Sequence, residues 1–67
     1  MADRRLQVFT TVARLLSFTK AAEALHMTQP AVTFQIRQLE DYFNTRLFDR
    51  THNRISLTTA GELVKTY

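Results

Sequence analysis

Apolar residues recur at helical spacing along the start of the chain. Leu6, Phe9, Ala13 and Leu16 form one stripe, and Val8, Val12 and Leu15 form a second beside it. At about 100° per residue the two merge into an apolar arc of about 180°. Gln7, Thr10, Thr11, Arg14 and Ser17 occupy the remaining face, and the pattern predicts a helix over 4–17. The arc is wider than a single core stripe. It fits a helix at the centre of a small domain, or one whose second stripe meets a further helix of this chain or a partner.

Ser17 or Thr19 is suited to cap a short second helix running through Leu25 and His26, with His26 expected to be partly buried at the helix end. Ala21, Ala22 and Leu25 face inward on it, with Phe18 buried at the junction. Thr28 then caps a third helix, and Pro30 falls in its first turn, where a missing N–H costs little. Val32, Ile36, Leu39 and Phe43 follow the i, i+4, i+7, i+11 pattern, so the helix spans 28–43. Its opposite face carries Gln29, Pro30, Thr33, Phe34, Arg37 and Asp41. Phe34 lies about 160° from the apolar stripe, which favours an outward position over one tucked against the second helix. Asn44 and Thr45 end the helix.

Leu47 and Phe48 follow, and Ile55 and Leu57 alternate with Arg54 and Ser56. This reads as strand–turn–strand, with Thr51, His52, Asn53 and Arg54 at the tip. Thr59 and Glu62 have capping-box spacing for a last helix, with Thr58 competing as the cap; Leu63, Val64 and Tyr67 follow. No C-cap glycine comes after them, so this helix is expected to continue in a longer parent protein.

Composition narrows the function classes. The 67 residues include no cysteine, which excludes a disulfide framework and every thiolate zinc site. His26 and His52 are too far apart for a zincin pair, and one glycine cannot build a phosphate-cradling loop. No nucleophile with a base can be assembled, so an enzyme is not expected. No apolar run approaches the roughly 18 residues of a membrane span, and no signal-peptide core follows the first residues. A cytoplasmic protein without membrane contact is expected. The single glycine and single proline argue for a mainly α fold.

A short helix, a tight turn and a longer amphipathic helix make a helix-turn-helix; the first helix packs behind it and a hairpin follows. That is a winged helix-turn-helix, in which the second helix of the pair enters the major groove. The segments that carry the pattern also carry a family resemblance. Phe18-Thr19-Lys20-Ala21-Ala22-Glu23-Ala24-Leu25-His26-Met27-Thr28-Gln29-Pro30-Ala31-Val32-Thr33 resembles the LysR-type transcriptional regulators. So do Ile36-Arg37-Gln38-Leu39-Glu40, Leu47-Phe48-Asp49-Arg50 and Leu57-Thr58-Thr59-Ala60-Gly61.

The resemblance implies an N-terminal DNA-binding domain over 1–57 and the start of a dimerising linker helix over 58–67. It further implies double-stranded DNA as partner, a homodimer or tetramer in the full-length protein, and a small-molecule effector bound by an absent C-terminal domain. No cofactor is expected within these residues. Gln29, Pro30, Ala31, Thr33, Phe34 and Arg37 would face bases, and Thr19, Lys20, Thr28 and Arg50 would meet phosphates. A glutamine amide pairs with adenine. For Arg37 a partner role to Asp41, and for Arg50 a structural role, stand beside these readings. His52, Asn53 and Arg54 would form the wing, with Arg54 near a minor groove, where an arginine reads width more than base identity. Many relatives carry arginine at the position of Phe34. Val8, Val12, Leu15, Leu63, Val64 and Tyr67 are the candidate dimerisation residues.

The net charge of +3 is modest for a DNA binder, so binding is expected to be weak and salt-sensitive. A helical interaction module that binds no DNA is the alternative. Such a helix needs an apolar anchor row on its free face, and the third helix offers Phe34 alone.

Overall fold

The computed structural model describes residues 4–51 and 54–66. Its elements are α1 (Arg4–Leu15), α2 (Phe18–Leu25), α3 (Gln29–Phe43), β1 (Phe48–Thr51), β2 (Arg54–Leu57) and α4 (Thr59–Thr66). This is the mainly α, winged helix-turn-helix arrangement read from the sequence: three helices, a hairpin and a closing helix.

Each helix boundary has a local cause. Ser17 caps α2, its hydroxyl accepting the Lys20 N–H, so Ser17 rather than Thr19 fills that role. Thr28 caps α3 by accepting the Ala31 N–H at 3.2 Å. Thr58, not Thr59, caps α4: its hydroxyl accepts the Gly61 N–H at 3.0 Å and donates to the Arg46 carbonyl at 2.6 Å. At the other ends, α1, α2 and α3 stop at left-handed residues, Leu16 (φ 50°), His26 (φ 56°) and Asn44 (φ 55°). Asparagine tolerates that conformation better than leucine or histidine. The Arg4 guanidinium donates to the Leu25 carbonyl, satisfying one free acceptor at the C-terminus of α2.

The core lies where α1, α2 and α3 meet. Val8, Phe9, Val12, Phe18, Ala21, Val32, Ile36 and Leu39 are buried, and Leu47 and Phe48 close the side next to the hairpin. The Phe48 ring lies 5.3 Å from that of Phe9 and 5.8 Å from that of Phe18, so the start of β1 is anchored into the helical core. The strands pair antiparallel, with Phe48 opposite Leu57 and Thr51 opposite Arg54.

Four expectations change. The first helix ends at Leu15, and Leu16 is 46% exposed instead of completing the core stripe, because the chain must turn there into α2. Val8 and Val12, expected at a dimer contact, are wholly enclosed by this chain's own helices and have no surface for a second subunit. The wide apolar arc of α1 is used internally, as a central helix requires. Phe43 is 40% exposed because α3 outlasts the core, and its ring packs against Tyr42 instead. His26, expected to be partly buried, is exposed. Of the other dimer candidates, Leu15 and Val64 are half-buried against the core, and Leu63 is 67% exposed. Tyr67 lies outside the described residues.

Candidate nucleic-acid interface

The cap at Thr28 starts α3 at Gln29, and the inward stripe Val32–Ile36–Leu39 then fixes which residues face out. Gln29, Pro30, Thr33, Phe34 and Arg37 line one open depression on the outer face of α3. These are five of the six residues expected to face bases. Phe34 is 59% exposed, which settles its position as outward. The sixth, Ala31, is half-buried and its N–H is held by Thr28, so it contributes packing at the helix start instead of an open backbone donor. Thr28 is exposed, and a hydroxyl that accepts from Ala31 keeps its own O–H free to donate outward.

A second depression of about 230 Å³ adjoins the first, since Thr33 and Arg37 line both. Its other walls are Phe18, Ile36, Glu40, Arg46, Phe48 and Arg50. Three arginines and one glutamate therefore line it. Glu40 is committed within the chain, its Oε2 accepting the Leu47 N–H at 2.9 Å. The Arg50 guanidinium lies over the Phe18 ring, 3.9 Å from its centroid. This contact gives Arg50 the structural one of the two roles left open for it. Stacking on an aromatic face leaves the in-plane N–H groups free for bidentate contact with a phosphate.

Beside this basic depression stands the N-terminus of α2, where Thr19 and Lys20 are exposed. The first amides of a helix lack intrahelical acceptors, and the helix dipole adds a partial positive charge. Arg54 is exposed at the start of β2 opposite Thr51, and it lines neither depression. His52 and Asn53 lie outside the described residues.

Arg46 is not among the residues expected at the interface from the sequence, yet it lines this basic depression. It follows α3 in an irregular segment, where no periodicity reports which wall a side chain joins. Among the described residues, no three His, Cys, Asp or Glu side chains come together to hold a metal ion, and no helix is long and apolar enough to cross a membrane.

A third depression lies on another face between Leu6, Phe9, Tyr42, Phe43, Leu63 and Val64, with Thr10 and Lys65 at its edge. It is lined by residues of α1, the end of α3 and α4.

The chain matches the family described as bacterial regulatory helix-turn-helix protein, lysR family, over residues 4–62. It is 51% identical over 59 residues to the HTH-type transcriptional regulator CfxR of Cupriavidus necator, covering 88% of this chain and 19% of that protein. The chain thus spans about a fifth of the length of that curated relative. A crystal structure of a LysR-family transcriptional regulator from Eggerthella lenta superimposes with a TM-score of 0.94 at 41% identity, covering 98% of this chain and 94% of that one. The structure described as BenM_DBD/catB site 1 DNA complex superimposes with a TM-score of 0.92 at 34% identity, covering 100% of this chain and 75% of that one.

Proposed function

The chain belongs to the LysR family of bacterial regulatory helix-turn-helix proteins, and from that premise we propose that it binds double-stranded DNA sequence-specifically as part of a transcriptional regulator. In this reading α3 lies in the major groove, which is wide enough for a helix and distinguishes all four base pairs. Gln29, Thr33, Phe34 and Arg37 meet base edges. The α2 N-terminus, with Thr19 and Lys20, and the cluster of Arg37, Arg46 and Arg50 hold the flanking phosphates. Such contacts position the helix while base contacts specify. Arg54 serves as the wing cation.

The observation that carries this reading is the continuity of the two depressions through Thr33 and Arg37, which joins a base-reading face to a cationic one. Similarity to a DNA-binding domain solved with DNA supports it. The outer face of α3 also lacks the row of apolar anchors that a protein-docking helix uses. Within the same reading, residues 1–57 form the DNA-binding domain and residues 58–67 begin a linker helix. The regulator acts in the cytoplasm as a homodimer or tetramer, with a small-molecule effector bound by a further domain. The greater length of the relative CfxR supports this larger architecture.

An amide NMR titration with an A·T-rich duplex of about 20 base pairs tests the reading, since major-groove docking concentrates contacts on one helix and its flanks. Salt-sensitive shifts are expected at Thr19, Lys20, Gln29, Thr33, Phe34, Arg37 and Arg50. Shifts absent at low salt, or confined to residues around Leu63, would refute it.

A further inference from the structure

We propose that Phe34 reads the C5-methyl group of a thymine, making it the residue that fixes a thymine-containing step in the recognised sequence. The proposal rests on the groove-reading role assigned to α3 above.

Among the described residues, the other aromatic side chains are accounted for. Phe9, Phe18 and Phe48 form the core cluster, and Tyr42 packs on Phe43. Phe34 takes part in none of these ring contacts and is 59% exposed. An apolar ring held in water on a helix face marks a contact surface when it stands in a line with other contact residues. Pro30 precedes Phe34 by four residues and Arg37 follows it by three, so all three lie along one ridge of α3. Pro30 carries no N–H, and together Pro30 and Phe34 make the middle of the open depression apolar, between Gln29 and Arg37.

The major groove offers few apolar complements. Guanine, adenine and cytosine edges present acceptors and donors, and thymine alone among the four standard bases presents a methyl group. A phenyl ring has no donor for guanine O6 and N7 and no acceptor for cytosine N4. An arginine at the same place would select guanine. Phe34 therefore favours thymine, next to the base that the Gln29 amide or the Arg37 guanidinium meets. Burying one methyl group corresponds to about a fourfold change in affinity.

The test uses the 67-residue chain and a random pool of duplexes of about 20 base pairs, selected at low salt. The best selected duplex is resynthesised with deoxyuridine in place of each thymidine in turn, which removes the methyl and leaves the pairing edge. Binding is followed by fluorescence anisotropy for the natural chain and for Phe34→Ala. At one or two positions the natural chain should lose about fourfold on uracil replacement, while Phe34→Ala should bind the thymine and uracil duplexes equally. Phe34→Gln serves in the same comparison if the alanine variant melts early by circular dichroism.

Indifference of the natural chain to uracil at every position would overturn the proposal. So would a uracil penalty that persists undiminished in the variant, because the methyl would then be read by another residue. A chain that selects no duplex at all would instead sink the groove-reading role itself, before the uracil comparison is reached.

Discussion

The guanidinium of Arg50 lies over the ring of Phe18, 3.9 Å from its centroid. Two residues back along β1, Phe48 meets the same Phe18 ring edge-on. Strand alternation explains the pair: positions 48 and 50 share one face of β1, so the first enters the core and the second reaches its rim. Phe18 is the first residue of α2, so the contact ties the hairpin to the helix end proposed to hold a phosphate. One arginine thus serves the fold through its π-face, and in the proposed function it would meet a phosphate through its edge.

Replacing Arg50 should separate these roles. Arg50→Ala should reduce the slope of log K against log salt by about 0.9, the value for one phosphate contact. It should also lower stability by about 0.5–1 kcal/mol, because the stacked cation is exposed. Arg50→Lys should keep the salt slope and lose the flat stacking. Anisotropy titrations at several salt concentrations, with urea unfolding alongside, give both numbers. An unchanged slope in the alanine variant would remove Arg50 from the phosphate set.

Gly61→Ala should destabilise the domain by about 2 kcal/mol or more, through overpacking against backbone. A β-carbon there would collide with the Leu47 carbonyl and come within 2.9 Å of Leu57 Cδ2. The same segment is clamped by the Thr58 N–H on the Leu47 carbonyl at 3.1 Å and the Thr58 hydroxyl on the Arg46 carbonyl. Thr58→Ala should therefore cost about 1 kcal/mol as a lost cap. A urea midpoint for Gly61→Ala equal to that of the natural chain would show that α4 can move away from Leu47 freely.

His26→Asn should stabilise the domain by a few tenths of a kcal/mol up to about 1 kcal/mol, since the left-handed conformation is easier for asparagine. His26 is exposed with φ 56°, and its backbone N–H already bonds the Glu23 carbonyl at 3.3 Å. The side chain can change while that bond stays. Asn44, at φ 55°, provides the internal comparison: Asn44→Ala should destabilise by a similar amount. A thermal scan that shows His26→Asn melting below the natural chain would contradict the strain argument.

What the chain revealed in advance follows from the range of each signal. Thr28, Pro30 and the Val32–Ile36–Leu39 stripe lie within one helix, so local periodicity located α3 and its outer face. The hairpin was weakly signalled, because only Phe48 is buried in β1 and Ile55 and Leu57 are half-buried in β2. Its place depends on Phe48 docking between Phe9 and Phe18, a contact about thirty to forty residues away in sequence. Arg46 and Glu40 were missed as walls of the basic depression for the same reason. The Val8–Val12 stripe was misassigned because a helix pattern reports that a face is apolar but not whether it meets its own chain or another.

Val12 and Leu63 test that last distinction. Val12 is fully enclosed by α1, α2 and α3, whereas Leu63 is 67% exposed on α4 beside Leu6, Tyr42, Phe43 and Val64. Val12→Ala should lower monomer stability by about 2 kcal/mol, from lost burial and the void left behind. Leu63→Ala should stay within about 0.5 kcal/mol, as surface changes do. Any self-association of the chain should respond in the opposite order: Leu63→Ala should weaken it, and Val12→Ala should affect it only through unfolding. Urea unfolding at low concentration and sedimentation equilibrium at rising concentration measure the two quantities separately. A Val12→Ala variant that folds with natural stability yet fails to associate would return the α1 stripe to the interface.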